Sequence, residues 1–347
     1  MNYGAAKAIG QLMKRTLISL EAIADRGNLS LALHKAAKGK RHRDQVCHFM
    51  QNAETNLNQL AADILNAKMP YGVYREFTIH DPKQRIIHAA CFEDRIFHHA
   101  VMNLAGPVLE RAMLPTSFAC RPGLGVHRAA SHVQHAIRRY PWYGKIDIKS
   151  YFARIDHALL LEVLLQRFKG NEFTLQCQRL LACYQTEAGK GLPIGSLTSQ
   201  YFANVFLDGL DRLLATLPEV RAQVRYMDDI VWWSDSKQAV KQVLQTVQDY
   251  LWEQRQLTVK PNWQIQQSKH GISYCGYRIL PGVVRLSLRR KRRYQGRRIF
   301  WETQYRKGRI TATQLQTSYA AVHAILQGTD SAMWRQHNFR RHPPLSV

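Results

Sequence analysis

Two adjacent aspartates in the middle of an apolar run constrain this chain more than any other feature. Residues 224–233 read VRYMDDIVWW, where Asp228 and Asp229 separate two stretches rich in β-branched and aromatic residues. Such stretches predict strands, so the aspartates fall in a strand–turn–strand hairpin. Burying a carboxylate is costly unless a partner compensates its charge. Because aspartate is also favoured in turns, the pair either simply closes the hairpin or faces a cationic partner.

A third aspartate favours the cationic partner. Asp147 lies at the end of a predicted strand that contains KIDI, residues 145–148. Three carboxylates on adjacent strands repel one another strongly unless divalent cations lie among them. Two Mg²⁺ ions would neutralise Asp147, Asp228 and Asp229 and would clamp phosphate oxygens during an in-line displacement. The sequence therefore predicts a two-metal catalytic centre.

The charge of the chain indicates its partner. Its 347 residues include 49 Lys and Arg against 25 Asp and Glu, which gives a net charge of +24. Such an excess points to nucleic acid, with an anionic membrane surface as the weaker alternative. No apolar run approaches the roughly 18–20 residues that span a bilayer, and the N-terminal residues do not resemble a signal peptide. We therefore expect a cytoplasmic protein with no membrane partner.

The six cysteines form no C-x-x-C pair, so we expect buried free thiols and no zinc site.

Helical and strand periodicities alternate irregularly along the chain, which predicts an α+β protein with antiparallel elements. The first helical region is interrupted by KAAKGKRHRD, residues 35–44, which is either a phosphate-contacting loop or a solvated connection. The predicted elements are helices at 5–66, 92–112, 156–168, 201–217 and 237–254, a hairpin at 74–90 with its turn at Asp81-Pro82, and strands at 142–150 and 272–280.

The order of the motifs resembles that of the reverse transcriptase family across residues 70–280. YMDD, at 226–229, is similar to the family's signature hairpin, and DIKSYF, at 147–152, is similar to its first catalytic motif. Four further motifs also resemble parts of the family. KQRII, at 83–87, resembles the fingers hairpin, and LTVKPN, at 257–262, resembles the motif that carries a lysine near the triphosphate. YCGYRI, at 274–279, resembles the primer grip, and SFACRPGLGVHRA, at 117–129, resembles a segment of the bacterial members.

This resemblance implies a right-hand polymerase, an RNA-directed DNA polymerase that uses two Mg²⁺ ions. Its implied parts are an N-terminal helical extension at 1–69, fingers at 70–141, a palm at 142–282 with a fingers insertion around 156–192, and a basic helical thumb at 283–347.

The resemblance also implies how dNTPs bind. Lys83 and Arg85 would contact the triphosphate, Lys260 would lie near it, and Gly195 would line the nucleotide site. Arginine suits a triphosphate because its planar fork binds phosphate oxygens in pairs, whereas Lys83 could instead be a plain surface charge. Phe152 would lie under the sugar and exclude a 2′-hydroxyl.

One motif departs from the family pattern. Most members carry Q-G-x-x-x-S-P against the templating pair, but this chain reads IGSLTSQ at 194–200, with Ile194 in place of Gln and Gln200 in place of Pro. This variant resembles the reverse transcriptases of diversity-generating retroelements. The resemblance implies bacterial or phage origin, a template-repeat RNA, errors at adenines, retrohoming of the cDNA into a variable protein gene, and a small helical oligomer, the accessory variability protein, as partner.

An apolar side chain cannot replace the hydrogen bonds of a Gln amide, so checking of the nascent pair would weaken at Ile194, and Arg85 would share that effect. Three alternatives stay open: a repacked but faithful enzyme, another bacterial reverse transcriptase of the retron, abortive-infection or group II intron type, and a non-catalytic RNA-binding scaffold.

The segment from Arg285 to Arg309 contains eleven Lys or Arg and one acid, Glu302. A helical thumb that holds an RNA/cDNA duplex by its phosphates explains this charge, and a solvated basic face is the alternative. The residues predicted to bind nucleic acid are Arg289, Arg290, Lys291, Arg292, Arg293, Arg297 and Arg298.

Overall fold

The structure, a computed structural model, describes residues 14–80 and 84–345. In this part of the chain the helices are, in order, α1 (Leu20–Ala24), α2 (Arg26–Ala37), α3 (Asp44–Gln51), α4 (Ala53–Leu65), α5 (Phe92–Ala112), α6 (Val126–Arg139), α7 (Tyr151–Arg154), α8 (His157–Leu165), α9 (Asn171–Ala182), α10 (Leu197–Phe206), α11 (Asp208–Thr216), α12 (Lys237–Arg255), α13 (Leu288–Arg306), α14 (Ala312–His323) and α15 (Ala332–Arg341).

The strands of the same residues are β1 (Thr16–Leu17), β2 (Tyr74–His80), β3 (Gln84–Ala90), β4 (Trp142–Asp147), β5 (Phe168–Lys169), β6 (Ala222–Tyr226), β7 (Asp229–Ser234), β8 (Gln264–Gln267), β9 (Ile272–Tyr274), β10 (Tyr277–Ile279) and β11 (Val284–Leu286). They form a four-stranded sheet in the order β6-β7-β4-β8, a three-stranded sheet in the order β11-β10-β9, and the pairs β2-β3 and β1-β5. The predicted mixture of helix and sheet is confirmed.

The chain divides into two compact units, each assembled from separate stretches of sequence. The first unit contains the described parts of Met1–Cys120, together with Asp147–Thr216 and Gln245–Pro261. The second contains Arg121–Ile146, Leu217–Leu244 and the described part of Asn262–Val347. The four-part division that the resemblance implies stays a prediction.

Helix α5 is the centre of the first unit. It packs against α2 and α10, and it continues through Pro107 as far as Ala112, which confirms the predicted helix at 92–112. Its first turn carries Asp94, whose carboxylate accepts hydrogen bonds from the backbone N–H groups of Tyr71 (2.7 Å) and Gly72 (2.9 Å). These bonds fasten the segment that leads into β2 onto the helix.

The β2–β3 hairpin also belongs to the first unit. Its strands are antiparallel and pair from Tyr74 with Ala90 to His80 with Gln84, as the sequence predicted. The predicted turn at Asp81-Pro82, and Lys83 with it, lie outside the described residues.

The four-stranded sheet supports the second unit. Strands β6 and β7 pair as far as Tyr226 with Asp229, so Met227 and Asp228 form the turn, and Met227 adopts a left-handed φ of 59°. In β4, a Cβ at Gly144 would lie 2.3 Å from the buried ring of Trp232. Glycine is required there because the backbone of β4 approaches that ring closely.

The basic C-terminal part contains three helices and the small sheet. The predicted strand at 272–280 is wrong as a single strand, because it is the hairpin β9–β10, with Tyr274 paired to Tyr277 around Cys275-Gly276. α13 packs against α14, whose N-terminus has a capping box formed by Thr311 and Gln314.

Several other predictions need correction. The predicted helix at 201–217 is interrupted at Leu207, between α10 and α11, and the described part of the predicted helical region 5–66 is broken into α1 to α4. All six cysteines are free, but the predicted burial holds only for Cys177. Cys47 and Cys120 are exposed, and the other three, Cys91, Cys183 and Cys275, are half-buried. Within residues 14–80 and 84–345, no helix combines the length and the hydropathy that a bilayer span requires.

Candidate active site

Asp147 is the last residue of β4, and the chain after it is fastened to the segment that carries Lys260. The backbone N–H of Lys260 donates to the carbonyl of Asp147 (2.8 Å), and that of Lys149 donates to Thr258 (2.9 Å). The ammonium of Lys260 forms an ion pair with the carboxylate of Asp147, and both side chains are partly exposed. The motifs DIKSYF and LTVKPN are therefore joined along their backbones.

Phe152 lies in α7, five residues after Asp147 in the chain. Its half-buried ring meets that of Tyr151 edge-on at 5.8 Å, and the Tyr151 hydroxyl donates to the carbonyl of Ala203. The carbonyl of Phe152 accepts a hydrogen bond from the backbone N–H of Leu192 (2.8 Å). The ring of Phe152 is thus supported by Tyr151, and its backbone is joined to the segment that leads into IGSLTSQ.

The turn that carries Ile194 and Gly195 is fastened to the β2–β3 hairpin. The backbone N–H of His88, in β3, donates to the carbonyl of Ile194 (2.9 Å). Gly195 has a φ of 119°, and a Cβ there would lie 2.8 Å from the Ile87 side chain. Glycine is therefore needed for its backbone conformation and for the close approach of the hairpin. Arg85 is exposed on the same strand β3, and Gln200 is partly exposed in α10.

Sequence analysis missed a buried polar cluster behind this turn. Ser196 is the N-cap residue before α10, and its hydroxyl contacts Nδ1 of His98 (3.2 Å) and the hydroxyl of Thr198 (2.9 Å). Complete burial, together with the charge of His99, lowers the pKa of His98 to about 3, so this imidazole is neutral at physiological pH. The sequence gives no signal for the cluster, because two adjacent histidines in a helix, His98 and His99, match no site motif.

Asp228 and Asp229 lie in the second unit, at the hairpin turn. The carboxylate of Asp229 forms an ion pair with Lys145 (3.2 Å), whose ammonium also donates to the carbonyl of Ser273 (2.8 Å). The hydroxyl of Tyr274 donates to the carbonyl of Asp229 (3.0 Å). The sequence predicted the aspartates but neither the lysine partner nor the role of the tyrosine.

The same turn is supported from within the sheet. The guanidinium of Arg225, a buried residue of β6, donates to the carbonyl of Met227 (3.2 Å). This bond stabilises the strained left-handed backbone of Met227 and thereby fixes the position of Asp228. A buried arginine in a strand is unusual, so its position before YMDD could have served as a signal.

The donor chemistry of the three aspartates fits Mg²⁺, which prefers carboxylate oxygens. Asp147 and Asp229 keep 38% and 24% of their side-chain surface exposed, so ions can reach them. Among the residues that the structure describes, no group of three or more His, Cys, Asp or Glu side chains is arranged to hold a metal ion. Lysines are the cations that contact Asp147 and Asp229, and the two-metal centre stays a prediction.

The basic helix α13 separates the seven predicted nucleic-acid contacts into two groups. Arg289, Arg292, Arg293 and Arg297 are exposed. Lys291 is half-buried, with its ammonium 5.5 Å from the centre of the Trp334 ring.

Arg290 and Arg298 face inward. Arg290 donates to the Tyr277 hydroxyl (2.7 Å) and to the carbonyl of Cys275 (3.0 Å). Arg298 is only 3% exposed; it pairs with Glu302 (3.2 Å) and contacts Asn338 (3.3 Å). The guanidinium of Arg298 is buried within the helical layer and has protein partners there, so its predicted contact with nucleic acid stays a prediction that its burial does not support.

Comparison with known proteins agrees with the motifs. The family "Reverse transcriptase (RNA-dependent DNA polymerase)" matches residues 79–279, more than half of the chain, and the chain belongs to that family. Protein YkfC of Escherichia coli (strain K12) is 24% identical over 206 residues, which are 56% of this chain and 49% of YkfC. The group II intron-encoded protein LtrA of Lactococcus lactis subsp. cremoris is 24% identical over 141 residues, 39% of this chain and 24% of LtrA.

Among solved structures, apo telomerase from Candida Tropicalis superposes with a TM-score of 0.48 and 12% identity, covering 85% of this chain and 65% of the telomerase chain. The chain spans about half the length of YkfC and a smaller share of LtrA.

Proposed function

We propose that this protein is the RNA-directed DNA polymerase of a diversity-generating retroelement. It copies a template-repeat RNA into cDNA with errors at adenines, and this cDNA is destined for a variable protein gene. Family membership supports the polymerase activity. The observation that carries the narrower assignment is Ile194 in IGSLTSQ. Its carbonyl accepts a hydrogen bond from His88 of β3.

Asp147, Asp228 and Asp229 are the proposed metal ligands and catalytic residues. Asp147 ends β4, and the other two lie where β7 begins; β4 and β7 are neighbours in the sheet. These carboxylates would hold two Mg²⁺ ions, which would supply the positive charge that stabilises the phosphate during nucleotidyl transfer. Lys260 neutralises Asp147 and, from the same position, can reach a triphosphate.

The nucleotide site is proposed around the first unit's turn and hairpin. Arg85, with Lys83, contacts the triphosphate through charge-assisted hydrogen bonds. Phe152 lies under the sugar, Gly195 allows the backbone to approach, and Ile194 and Gln200 face the templating pair. The bond from His88 to Ile194 supports this arrangement, because it attaches the turn to the strand that carries Arg85.

The proposed division of labour is that of a right hand with fingers, palm and thumb, and α13 belongs to the thumb. Its exposed arginines Arg289, Arg292, Arg293 and Arg297 hold the RNA/cDNA duplex by its phosphates. The proposed partners are template RNA, dNTPs and an oligomeric accessory variability protein. The proposed location is the cytoplasm of a bacterium, with the gene carried by the bacterium or by a phage.

A second candidate is another bacterial reverse transcriptase, and the similarity to LtrA favours it. Sequencing cDNA made by the purified protein on a template rich in all four bases separates the two. An excess of errors opposite adenine supports the retroelement assignment, and a uniform low error rate supports the second candidate. Absence of any Mg²⁺-dependent dNTP incorporation on a primed RNA would instead identify a binding scaffold.

The catalytic assignment is tested by Asp147→Asn and Asp228→Asn, which keep the shape of the side chain and remove its charge. We expect each variant to lose more than about 90% of kcat, a barrier increase above roughly 1.4 kcal/mol, while RNA binding changes little. The matched control is Asp235→Asn, at a surface carboxylate paired with Arg221. Retention of a tenth or more of kcat in either variant would refute the metal assignment.

A further inference from the structure

A cavity in the first unit lies towards the base of the β2–β3 hairpin, whereas Arg85 lies near its tip. Its volume is about 550 Å³, and its lining includes Arg43, Tyr74, Arg75, Phe77 and Arg95. Ligand pockets in proteins typically measure about 300–1,000 Å³, so the cavity can hold a single nucleotide unit. The nucleotide site proposed above contains none of these residues.

Arg95, in α5, makes an anion the favoured ligand of this cavity. Two of its guanidinium nitrogens, Nε and Nη2, are buried and have no hydrogen-bond partner among the residues that the structure describes. The guanidinium lies 5.2 Å from the centre of the Phe92 ring. Buried donors of a charged group are costly to leave unsatisfied, and a phosphate presents the oxygens that an arginine fork binds best.

Other cations surround this guanidinium. Arg43 and Arg75 line the cavity and also an adjoining one of about 600 Å³. Burial and then the charge of Arg43 lower the pKa of Arg95, and burial followed by Arg95 and Arg43 lowers that of Lys40. The carboxylate of Glu93 opposes this effect at Arg95, and Asp44 lines the adjoining cavity. Cations outnumber acids here, so the complementary ligand is an anion.

Aromatic side chains beside the arginines favour a nucleotide as the anion. The ring of Phe77 is 46% exposed, and Phe77 and Tyr74 both line the cavity. An accessible ring beside arginines is the usual combination for a nucleotide in a single strand, whose base stacks while its phosphate pairs. A concave cavity of this volume admits one nucleotide but not a duplex. The exposed residue Arg41 continues the positive charge beyond the cavity, where neighbouring phosphates of a strand would lie.

We propose that this cavity binds one nucleotide of a single RNA strand, with its phosphate on Arg95, Arg75 and Arg43 and its base against Phe77. The inference rests on the proposed function for its class of ligand. It assigns to the basic segment at 35–44 the phosphate-contacting role that the sequence left open.

The test measures binding of a short fluorescein-labelled single-stranded RNA by anisotropy, in EDTA and without dNTPs. The variants are Arg95→Met, Arg75→Gln and Phe77→Ala, and the matched control is Arg179→Gln, at an exposed arginine of α9 in the same unit. Arg75 is exposed, so its replacement leaves the fold intact even if Arg95→Met does not fold.

We expect Arg75→Gln to weaken binding about tenfold and to lower the slope of log affinity against log salt by about 0.7, the value for one phosphate contact on a single strand. Phe77→Ala should weaken binding at least about fivefold without changing that slope. The control should change affinity less than about twofold.

Three results would overturn the proposal. Arg75→Gln and Phe77→Ala could bind RNA as the wild type does, or the control could lose as much affinity as Arg75→Gln. In the third result, inorganic phosphate raises the unfolding temperature of the wild type but not that of Arg95→Met, and no variant changes RNA binding. That result would identify a site for a free anion. Because neither metal nor dNTP is present, a protein without polymerase activity can still support the proposal, and an active polymerase can still refute it.

Discussion

At the scale of single residues, two of the three predicted metal ligands have lysine partners. Lys260 pairs with Asp147, and Lys145 pairs with Asp229. Each pair is partly exposed, and such pairs contribute only about 0–1 kcal/mol to stability. The lysines therefore neutralise a carboxylate at the end of a strand without binding it so strongly that a divalent cation could not replace them.

We predict that Phe152→Val admits ribonucleotides. The ring is half-buried in α7, and its replacement by a smaller side chain frees volume where a 2′-hydroxyl would lie. Competition between an rNTP and the matching dNTP at one template position measures the change, which should be at least tenfold in the ratio of kcat/KM, or about 1.4 kcal/mol. Leu175→Ala, which shortens an exposed apolar residue of α9, is the control. Unchanged discrimination in Phe152→Val would remove Phe152 from the sugar site.

We predict that Ile194→Gln reduces errors opposite template adenine more than errors at the other bases. The backbone bond from His88 to residue 194 does not depend on the side chain, so the turn keeps its place. A Gln amide adds hydrogen bonds that a branched alkyl group cannot form. A discrimination energy of about 1.4–2.7 kcal/mol corresponds to a ten- to hundredfold change in error rate.

Sequencing of cDNA from a template rich in all four bases gives the error rates. Ile194→Val is the matched control, because it stays branched and apolar and should leave the error spectrum unchanged. If adenine errors remain at the wild-type frequency in Ile194→Gln, the infidelity has another source and Ile194 only fills space.

At the scale of elements, the local sequence pattern predicted the helices and hairpins whose contacts are made by residues near one another in the chain. The β2–β3 hairpin and α5 follow the prediction, because alternation and helical spacing are local signals. The short parallel pairing of β1 with β5 could not be predicted, since each strand has two residues and their partners are far apart in the chain.

The break between α10 and α11 shows why the rest escaped prediction. Asp208 begins α11, and its buried carboxylate accepts from Arg167 (2.6 Å) and Arg212 (3.0 Å). The pairing with Arg167 is tertiary, and the local signal for a break, Asp208-Gly209, lies inside an apolar pattern that is otherwise continuously helical. The burial of Arg298 escaped prediction for a related reason: its pair with Glu302 is local, but its contact with Asn338 of α15 is tertiary.

We predict that α13 has separable roles in stability and in binding. Arg298→Met leaves Glu302 buried without its cation, and breaking a buried pair in this way costs about 3–5 kcal/mol. Arg297→Gln, at the adjacent exposed position, should change the free energy of unfolding by no more than about 0.5 kcal/mol and should weaken duplex binding. Urea unfolding and RNA/DNA duplex binding measure the two effects.

The double variant Arg298→Met/Glu302→Leu is the control for this prediction. Because it removes both charges, it should recover most of the stability that the single variant loses. If Arg298→Met has the same free energy of unfolding as the wild type but binds the duplex poorly, then Arg298 contacts nucleic acid and its pair with Glu302 does not stabilise the fold.

At the scale of the whole molecule, the net charge of +24 sets how the protein distinguishes its partners. Association with RNA is dominated by release of counterions, so its affinity falls steeply as salt rises. The affinity for a protein partner bound through apolar contacts does not fall in this way. At 0.5 M salt, interactions between charges are screened beyond about 4–5 Å, but apolar contacts do not depend on charge. Salt can therefore separate the two kinds of partner experimentally.

We predict that the complex with an accessory variability protein survives size-exclusion chromatography in ~0.5 M salt, whereas bound RNA dissociates. The exposed Ile299 and Phe300 of α13 are among the apolar residues of this chain on which such contacts could depend, and Phe300→Ala is the variant to compare. Co-expression of the two proteins followed by chromatography at low and high salt gives the measurement. Template-specific cDNA synthesis by the polymerase alone, with no complex at either salt concentration, would contradict the need for a partner, because template choice would then reside in this chain.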